Sequence, residues 1–191
     1  MLERARGRGV ELGCSPVDPG TGAALRLLAA AAGARAVVEV GTGTGVSTLW
    51  LLAGMPADGV LTTIDSEPEH QRAARTAVAE AGVRSGRVRV IGGRALEVLP
   101  RLTDGAYDLV LLDGDRLELD AQLDQALRLL RPGGLLVVAG ALWRDRVADP
   151  AQRDAVTTAV REAVRRVRDD ERLLPALLPV GDGLLAGVVR G

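Results

Sequence analysis

Two kinds of apolar pattern alternate along this chain. Short, nearly continuous apolar runs rich in valine and leucine are typical of buried strands, and longer segments with apolar residues at helical spacing are typical of amphipathic helices. Because the two patterns alternate, the sequence predicts a doubly wound α/β fold with helices on both faces of the sheet. The predicted strands are residues 37–40, 60–64, 88–91, 108–112 and 135–138, and the predicted helices are residues 23–32, 46–55, 66–81, 95–102, 119–130 and 150–170.

The last part of the chain predicts an antiparallel pair of strands. Residues 173–178 and 184–189 are apolar, and Gly181-Asp182-Gly183 supplies a turn between them. We therefore expect a single domain over residues 17–191. The segment before it is rich in glycine and arginine, so we expect residues 1–16 to be loose.

Two predicted helices carry start signals. Ser66-Glu67-Pro68-Glu69 has the spacing of a capping box, with a proline in the first turn. Asp149 directly precedes Pro150, so we expect Asp149 to cap the last long helix.

The most specific motif is the glycine turn that follows the first predicted strand. The strand ends at Val40, and glycines follow at positions 41, 43 and 45 before the next helix. Strand, glycine turn and helix N-terminus together present backbone N–H groups to an anionic ligand, to which the hydroxyl of Ser47 could add a hydrogen bond. Dinucleotide-binding turns have the spacing G-x-G-x-x-G, whereas here the third glycine comes one place earlier, at Gly45. The spacing therefore argues against a nicotinamide oxidoreductase.

Polar residues gather at the predicted carboxyl ends of four strands, which is the edge where open α/β sheets bind ligands. Asp65 ends the second strand roughly 20 residues past the glycine turn, where a carboxylate can accept hydrogen bonds from both hydroxyl groups of a ribose. Arg94 and Ala95 follow the third strand, where the backbone N–H of Ala95 could contact an adenine edge. Asp113 and Asp115 follow the fourth strand.

Composition narrows the function classes. The net charge of −1 gives no basic surface for nucleic acid or an anionic membrane, and no apolar run approaches the roughly 20 residues of a membrane span. The chain contains no lysine: it has 24 arginines and a single histidine, so a Schiff-base lysine is excluded. The single Cys14 cannot form an internal disulfide, which favours a cytoplasmic location, and we interpret it as structural. We expect His70 on the exposed surface of its helix, and Trp143 either in an acceptor pocket or in packing.

At these motifs the chain resembles the family 3 O-methyltransferases, the catechol and caffeoyl-CoA O-methyltransferase-like group, and in particular its actinobacterial branch. The resemblance extends over nearly the whole chain. It implies a Rossmann-like, mostly parallel seven-stranded sheet with a C-terminal antiparallel strand, S-adenosylmethionine (SAM) as cofactor, S-adenosylhomocysteine (SAH) as product, and a homodimer. The segments that carry it are residues 19–22, 38–47, 61–65, 107–115, 130–134 and 142–143.

The resemblance also implies which residues contact SAM. These are Val17, Glu39, Gly41, Thr42, Ser47, Asp65, Ala95 and Asp113, to which the glycine turn and strand ends add Gly43, Gly45, Ser66 and Arg94.

One part of the family pattern is missing. The resemblance implies a divalent cation held by Asp113 and by an Asp-Asn pair after the fifth strand, but that pair is Ala139 and Gly140 here. The family's lysine, three places past the aspartate, is Arg116, which can stabilise an anion but cannot accept a proton. We therefore expect no metal ligands and no resident divalent metal, although Asp113 and Asp115 with water could hold one weakly.

The sequence thus predicts a SAM-dependent methyltransferase, most simply one that methylates a hydroxyl group of a small molecule, with no nucleic acid or membrane as partner. Asp113 and Asp115 are the candidate catalytic residues, since either could orient or deprotonate the acceptor. The alternative is a non-catalytic SAM-binding protein that has lost metal-dependent chemistry.

Overall fold

The computed structural model describes residues 1–191 and has one sheet of seven strands between two layers of helices. The strands are β1 (Ala36–Val40), β2 (Val60–Asp65), β3 (Val88–Gly92), β4 (Tyr107–Leu112), β5 (Leu130–Ala139), β6 (Leu173–Leu178) and β7 (Leu184–Val189). The α-helices are α1 (Leu2–Glu11), α2 (Pro19–Ala31), α3 (Val46–Gly54), α4 (Pro68–Glu80), α5 (Ala95–Val98), α6 (Leu119–Leu129) and α7 (Ala155–Asp169), and two short 3₁₀ turns cover Leu99–Arg101 and Arg116–Glu118.

The sheet has the strand order β3-β2-β1-β4-β5-β7-β6. Strands β1 to β5 pair in parallel, β7 runs antiparallel to β5, and β6 runs antiparallel to β7. The predicted, mostly parallel sheet with an antiparallel C-terminal pair is confirmed. Strand order reverses between β1 and β4, and in such sheets the crevice outside the carboxyl ends at that point is where ligands bind.

Alternate residues of each central strand supply opposite cores. In β4, Leu109 and Leu111 pack with α2 and α3, whereas Val110 and Leu112 pack with α5, α6 and α7. All four side chains are 0% exposed. Because both faces of the sheet are covered, the central strands are apolar throughout rather than alternating, which explains the continuous runs in the sequence.

The N-terminal segment is more ordered than the sequence predicts. Residues Leu2–Glu11 form α1, which packs against α4, and the Thr44 hydroxyl of the glycine turn donates to the carbonyl of Ala5 at 2.7 Å. A Cβ atom on Gly9 would lie 2.5 Å from the Pro16 side chain. Glycine at this position therefore allows a close contact between α1 and the chain that follows it, although glycine lowers helix propensity.

Both predicted helix caps are wrong. Helix α4 begins at Pro68 after Glu67, and the Ser66 side chain makes no cap hydrogen bond; instead Asp65 accepts from the N–H of Glu67 at 2.9 Å. Helix α7 begins at Ala155, where the Asp154 carboxylate caps it by accepting from the Thr157 N–H at 3.0 Å. Asp149 forms a local turn with the N–H of Ala151 at 2.9 Å, so its side chain is used before the helix starts.

Two further boundaries differ from the prediction. Strand β5 starts at Leu130 and includes Pro132-Gly133-Gly134, with an irregular register opposite Tyr107. The helix predicted over 95–102 becomes 3₁₀ after Val98, where Pro100 lacks the N–H that a continued α-helix requires. No helix is both long enough and apolar enough to cross a lipid bilayer.

The close contact between the ends of β1 and β4 can be tested with a glycine pair. A Cβ atom on Gly41 would lie 2.3 Å from the backbone oxygen of Asp113, whereas one on Gly43 would have no neighbour within 4 Å. Both residues have positive φ, 92° and 48°, so alanine strains the backbone at both positions. We expect Gly43→Ala to cost about 1–2 kcal/mol and Gly41→Ala to cost about 1–3 kcal/mol more because of the clash. Urea unfolding of both variants measures the difference, and equal losses of stability would contradict it.

Candidate functional site

A cleft of about 580 Å³, the main cleft, opens at the carboxyl ends of β1, β2, β3 and β4. Gly41 and Gly43 of the glycine turn line the cleft. Gly41, Gly43 and Gly45 all have positive φ, and Gly45 precedes the first turn of α3. The first N–H groups of a helix have no intrahelical acceptor, so this turn and helix start form an electropositive region.

Most residues predicted to bind the cofactor line this cleft. They are Val17, Gly41, Thr42, Gly43, Ser47, Asp65, Ser66, Arg94, Ala95 and Asp113, and the candidate catalytic residue Asp115 lines it too. Glu39 and Gly45 do not line it. Gly45 instead lets the start of α3 approach α4, since a Cβ atom on Gly45 would lie 3.2 Å from the Cα of Ala74 in α4.

Asp65 is held rigidly by backbone groups. Its Oδ2 accepts from the N–H of Gly43 at 2.8 Å, and its Oδ1 accepts from the N–H of Glu67 at 2.9 Å. Each carboxylate oxygen has two lone pairs, so Oδ2 retains the capacity to accept from a ligand hydroxyl. Oδ1 also faces His70 Nδ1 at 3.3 Å. Glu67 lines the cleft beside Asp65 and adds a second carboxylate to the same wall.

Glu39 lies beneath the cleft and is 0% exposed. Its Oε2 accepts from the Thr48 hydroxyl, while its Oε1 has no hydrogen-bond partner. Burial raises the pKa of Glu39 from 4.5 to about 7; hydroxyl groups of Ser47, Thr48 and Thr63 act in the opposite direction, and the charge of Asp113 adds to the rise. Glu39 is therefore a supporting residue of the turn in this structure, because it reaches no open space.

Sequence reasoning missed two groups in the cleft. The prediction of an exposed His70 is wrong: its Nε2 lies 3.0 Å from the Cys14 sulfur, its Nδ1 lies 3.3 Å from Asp65 Oδ1, and both His70 and Cys14 line the cleft. Burial, and secondarily the charge of Asp65, raises the pKa of the Cys14 thiol, so the protonated thiol is favoured. His70 and Cys14 are far apart in the sequence. They meet because α4 turns His70 towards the cleft and because the N-terminal segment is ordered.

Gln122 is the other missed residue. It is 1% exposed on α6, lines the cleft, and its Oε1 has no hydrogen-bond partner. A buried amide oxygen without a donor is costly, so this atom is a candidate acceptor for a ligand N–H group.

A second cavity of about 530 Å³ adjoins the main cleft and shares Ser15, Pro16, Val17 and Asp113 with it. Its other walls come from α2, the end of β5 and the turn between β6 and β7, and they include Trp143. Trp143 also packs against the core on the α6 and α7 side, so it is a packing residue as well as a wall of this cavity. Asp115 does not line this cavity.

Asp113 stands at the boundary between the two spaces. Its Oδ1 accepts from Arg116 Nη2 at 2.8 Å, and the two side chains are 19% and 13% exposed. Burial raises the pKa of Asp113, and the charge and hydrogen bond of Arg116 act against that rise.

The donor set around Asp113 does not fit a divalent metal ion. Ala139 and Gly140, at the positions where the family resemblance implies ligands, have no side-chain oxygen, and one oxygen of Asp113 already accepts from a guanidinium. Hard cations need several oxygen ligands in near-octahedral or higher coordination. No group of three or more His, Cys, Asp or Glu side chains comes together as a ligand set anywhere in the protein.

The chain is similar to known proteins over almost its whole length. Residues 10–189 match the sequence model of a family described as O-methyltransferase. A Mycobacterium ulcerans protein named as an O-methyltransferase is 55% identical over 188 residues, which are 98% of this chain and 84% of that protein. A solved Corynebacterium glutamicum structure has a TM-score of 0.92 and 36% identity, covering 100% of this chain and 89% of the other.

Two further solved structures contain ligands. An O-methyltransferase from Bacillus cereus in complex with SAH has a TM-score of 0.89 and 27% identity, covering 99% of this chain and 90% of the other. The Streptomyces achromogenes O-methyltransferase of tomaymycin synthesis, in complex with SAM, has a TM-score of 0.90 and 30% identity, covering 100% of this chain and 89% of the other.

The raised pKa of Glu39 predicts a pH-dependent stability. The folded state binds this proton more tightly than the unfolded state, so the stabilisation is complete below pH 4.5 and is lost as the pH rises towards 7. Glu39→Gln removes this titration, so we expect the variant to gain about 2–3 kcal/mol relative to the parent between about pH 5 and about pH 8. Urea unfolding at both pH values measures this gain, and a difference that does not change with pH would contradict it.

Proposed function

This chain belongs to the O-methyltransferase family and is a SAM-dependent O-methyltransferase, and from that premise we propose that it binds SAM in the main cleft and methylates a hydroxyl group of a small molecule in the second cavity. One observation carries the proposal: the two spaces adjoin, and Asp113 belongs to both walls. A methyl donor and an acceptor can therefore meet at one carboxylate.

The glycine turn suits the charged end of the cofactor. The backbone N–H groups of residues 41–45 and the N-terminus of α3 favour a carboxylate. Ser47 lines the same part of the cleft, so we assign its hydroxyl to the same carboxylate. Thr42 is 1% exposed and its hydroxyl is paired with that of Thr63 at 2.6 Å, so we assign it the role of fixing the turn. Glu39 supports the same turn from below.

The other walls suit the nucleoside. Asp65 accepts hydrogen bonds from the ribose hydroxyl groups through its remaining lone pairs. Ser66 lines the cleft next to Asp65. Ala95 offers its backbone N–H to the adenine edge, and the unpaired Oε1 of Gln122 accepts from the adenine amino group. Arg94 and Glu118 both line the cleft and form an ion pair with each other.

Methyl transfer is an in-line displacement, so positioning supplies much of the rate. The acceptor oxygen forms a bond to the methyl carbon while the bond from carbon to sulfur breaks, and the sulfur keeps the electron pair as SAH. Of the two candidate catalytic residues, we favour Asp113 for orienting the acceptor because it lines both spaces. We assign Asp115 to the cofactor side, where its Oδ1 accepts from the N–H of Leu117 at 2.9 Å and fixes the following turn.

Calorimetry with SAH and chelator-treated protein tests cofactor binding. We expect a dissociation constant in about the micromolar range, which corresponds to about −8 kcal/mol. Asp65→Asn removes the charge and one carboxylate acceptor, so we expect the affinity to fall about 10-fold to 100-fold. Methylation of a phenol panel by the parent protein, measured by mass spectrometry, tests the reaction itself.

Asp58→Asn is the matched control, because Asp58 is an exposed aspartate that pairs only with Arg35 on the surface. Unchanged SAH affinity in Asp65→Asn, or absence of SAH binding to the parent, would contradict the assigned cleft. SAH binding without transfer to any acceptor would instead support the alternative of a non-catalytic SAM-binding protein, which the comparisons do not favour.

We also propose that the enzyme acts as a cytoplasmic homodimer. The single cysteine is compatible with a reducing compartment. The edge strand β6 leaves apolar side chains in solvent: Leu174 is 53% exposed, and Val188, its partner across the strand pair, is 38% exposed. An exposed apolar edge of a sheet is a common contact between chains.

Sedimentation velocity tests the dimer. We expect a mass of twice 19.9 kDa for the parent protein and a shift towards monomer in Leu174→Arg, because a charge on the apolar edge is costly to bury. Leu27→Arg, at a 67% exposed position on α2, is the control and leaves the mass unchanged. A monomeric parent, or a Leu174→Arg variant that stays dimeric, would contradict this contact.

A further inference from the structure

Arg116 has more hydrogen-bonding capacity than the chain itself uses. Its guanidinium makes one hydrogen bond within the protein, from Nη2 to Asp113 Oδ1 at 2.8 Å. A guanidinium has five N–H donors, so four remain. Because Arg116 lines the second cavity and is 13% exposed, these donors are available to a molecule bound there.

Three contacts fix the position of this guanidinium. Asp113 holds Nη2 on one side, and a Cβ atom on Gly140 would lie 3.0 Å from the same nitrogen, so the guanidinium lies against the backbone of Gly140. The ring of Trp143 lies 5.8 Å from Arg116 Cζ, within the range of a cation–π contact. The cation is therefore placed between the two backbone segments to which the family resemblance assigns metal ligands.

The loop that carries Trp143 is held in an unfavourable conformation. Trp143, Arg144 and Asp145 have φ values of 48°, 54° and 60°, and each left-handed residue costs about 1–2 kcal/mol. Asp182 restrains the loop by accepting from the N–H of Arg144, and its backbone oxygen accepts from the N–H of Leu142 at 2.9 Å. The fold thus keeps the aromatic ring beside the guanidinium despite the backbone cost, as happens at ligand sites.

The other charged groups of the second cavity are largely committed elsewhere. Asp18 caps α2 by accepting from the N–H groups of Gly20 and Thr21 and from the Thr21 hydroxyl. Asp182 holds the Trp143 loop. Arg144 differs from Arg116 in position: it is exposed, its guanidinium lies 6.0 Å from the Trp143 ring, and it does not contact Asp113. Arg116 is the cation that contacts Asp113, the charged residue that lines both this cavity and the main cleft.

We propose that Arg116 binds the reacting oxygen of the acceptor as an oxyanion, and so supplies the positive charge that a divalent cation would otherwise provide. The acceptor class is then an acidic hydroxyl compound, of the phenol type, that needs no pair of adjacent hydroxyl groups to chelate a metal. This inference rests on the proposed function, because it assigns a role within the same site.

The reaction balances without a further reactant. The acceptor hydroxyl releases its proton to solvent on binding, because the guanidinium favours the ionised oxygen and cannot itself accept a proton. The oxyanion then forms a bond to the SAM methyl carbon, the bond from carbon to sulfur breaks, and the positive charge of the sulfonium is lost as SAH forms.

Titration of bound 4-nitrophenol tests the oxyanion site without turnover. The SAH-saturated protein is held in EDTA, and the absorbance of the nitrophenolate is followed against pH. We expect the apparent pKa of the bound phenol to fall by about 1–3 units, as for an acid beside a cation. In Arg116→Met the shift disappears, and in Arg116→Lys part of it returns because the charge is kept.

Arg153→Met is the control, since Arg153 is exposed and forms no side-chain hydrogen bond or ion pair, and we expect the phenol to titrate in this variant as it does in the parent. SAH affinity is measured on each sample: loss of SAH binding by the parent counts against the proposed function, whereas retained SAH binding isolates the acceptor site. An SAH-loaded parent that does not bind the phenol, or does not shift its pKa, would overturn the oxyanion site. The assignment to Arg116 would be overturned if Arg116→Met kept the pKa shift of the bound phenol. It would also be overturned if Arg144→Met lost the shift while Arg116→Met kept it.

Discussion

The close approach of Gly41 to the backbone of Asp113 is the constraint on which the site depends. The N–H of Asp113 donates to Val40 O at 2.9 Å, and the N–H of Gly41 donates to Ile64 O at 2.9 Å, so the ends of β1, β2 and β4 stop at one level. With no side chain on Gly41, the glycine turn and Asp113 share one wall. In the proposed function, a cofactor bound at the turn and an acceptor beside Asp113 are therefore neighbours without any movement of the backbone.

Below that contact the fold carries an unfavourable group. Glu39 is fully buried with one unpaired oxygen, and burial raises its pKa to about 7. A neutral residue of similar shape would avoid this cost, since buried charges without a partner are expensive. The carboxyl group accepts from the Thr48 hydroxyl and so connects the end of β1 to the first turn of α3, on either side of the glycine turn.

The sequence predicted the sheet well because its information is local. Strands buried on both faces are continuous apolar runs, and the glycine spacing fixes one turn. The helix caps were less predictable: α4 has no side-chain cap, and Asp154 rather than Asp149 caps α7, because the backbone becomes helical only at Ala155. The order of α1 was not predictable from Gly7 and Gly9 in its sequence, because packing against the Thr44 turn outweighs low helix propensity. For the same reason the pairing of His70 with Cys14 required the tertiary structure.

The replacement of a metal site by an arginine changes what the site depends on. A bound cation has to be acquired, and its affinity falls when its carboxylate ligands are protonated. A guanidinium is part of the chain and stays charged over the physiological range, so its electrostatic effect does not depend on metal supply. It also places a single cationic plane against the acceptor rather than several coordination positions. Recognition of the acceptor then depends on one acidic oxygen and on the shape of the surrounding walls, among them Trp143 and Val17, rather than on chelation by two neighbouring hydroxyl groups.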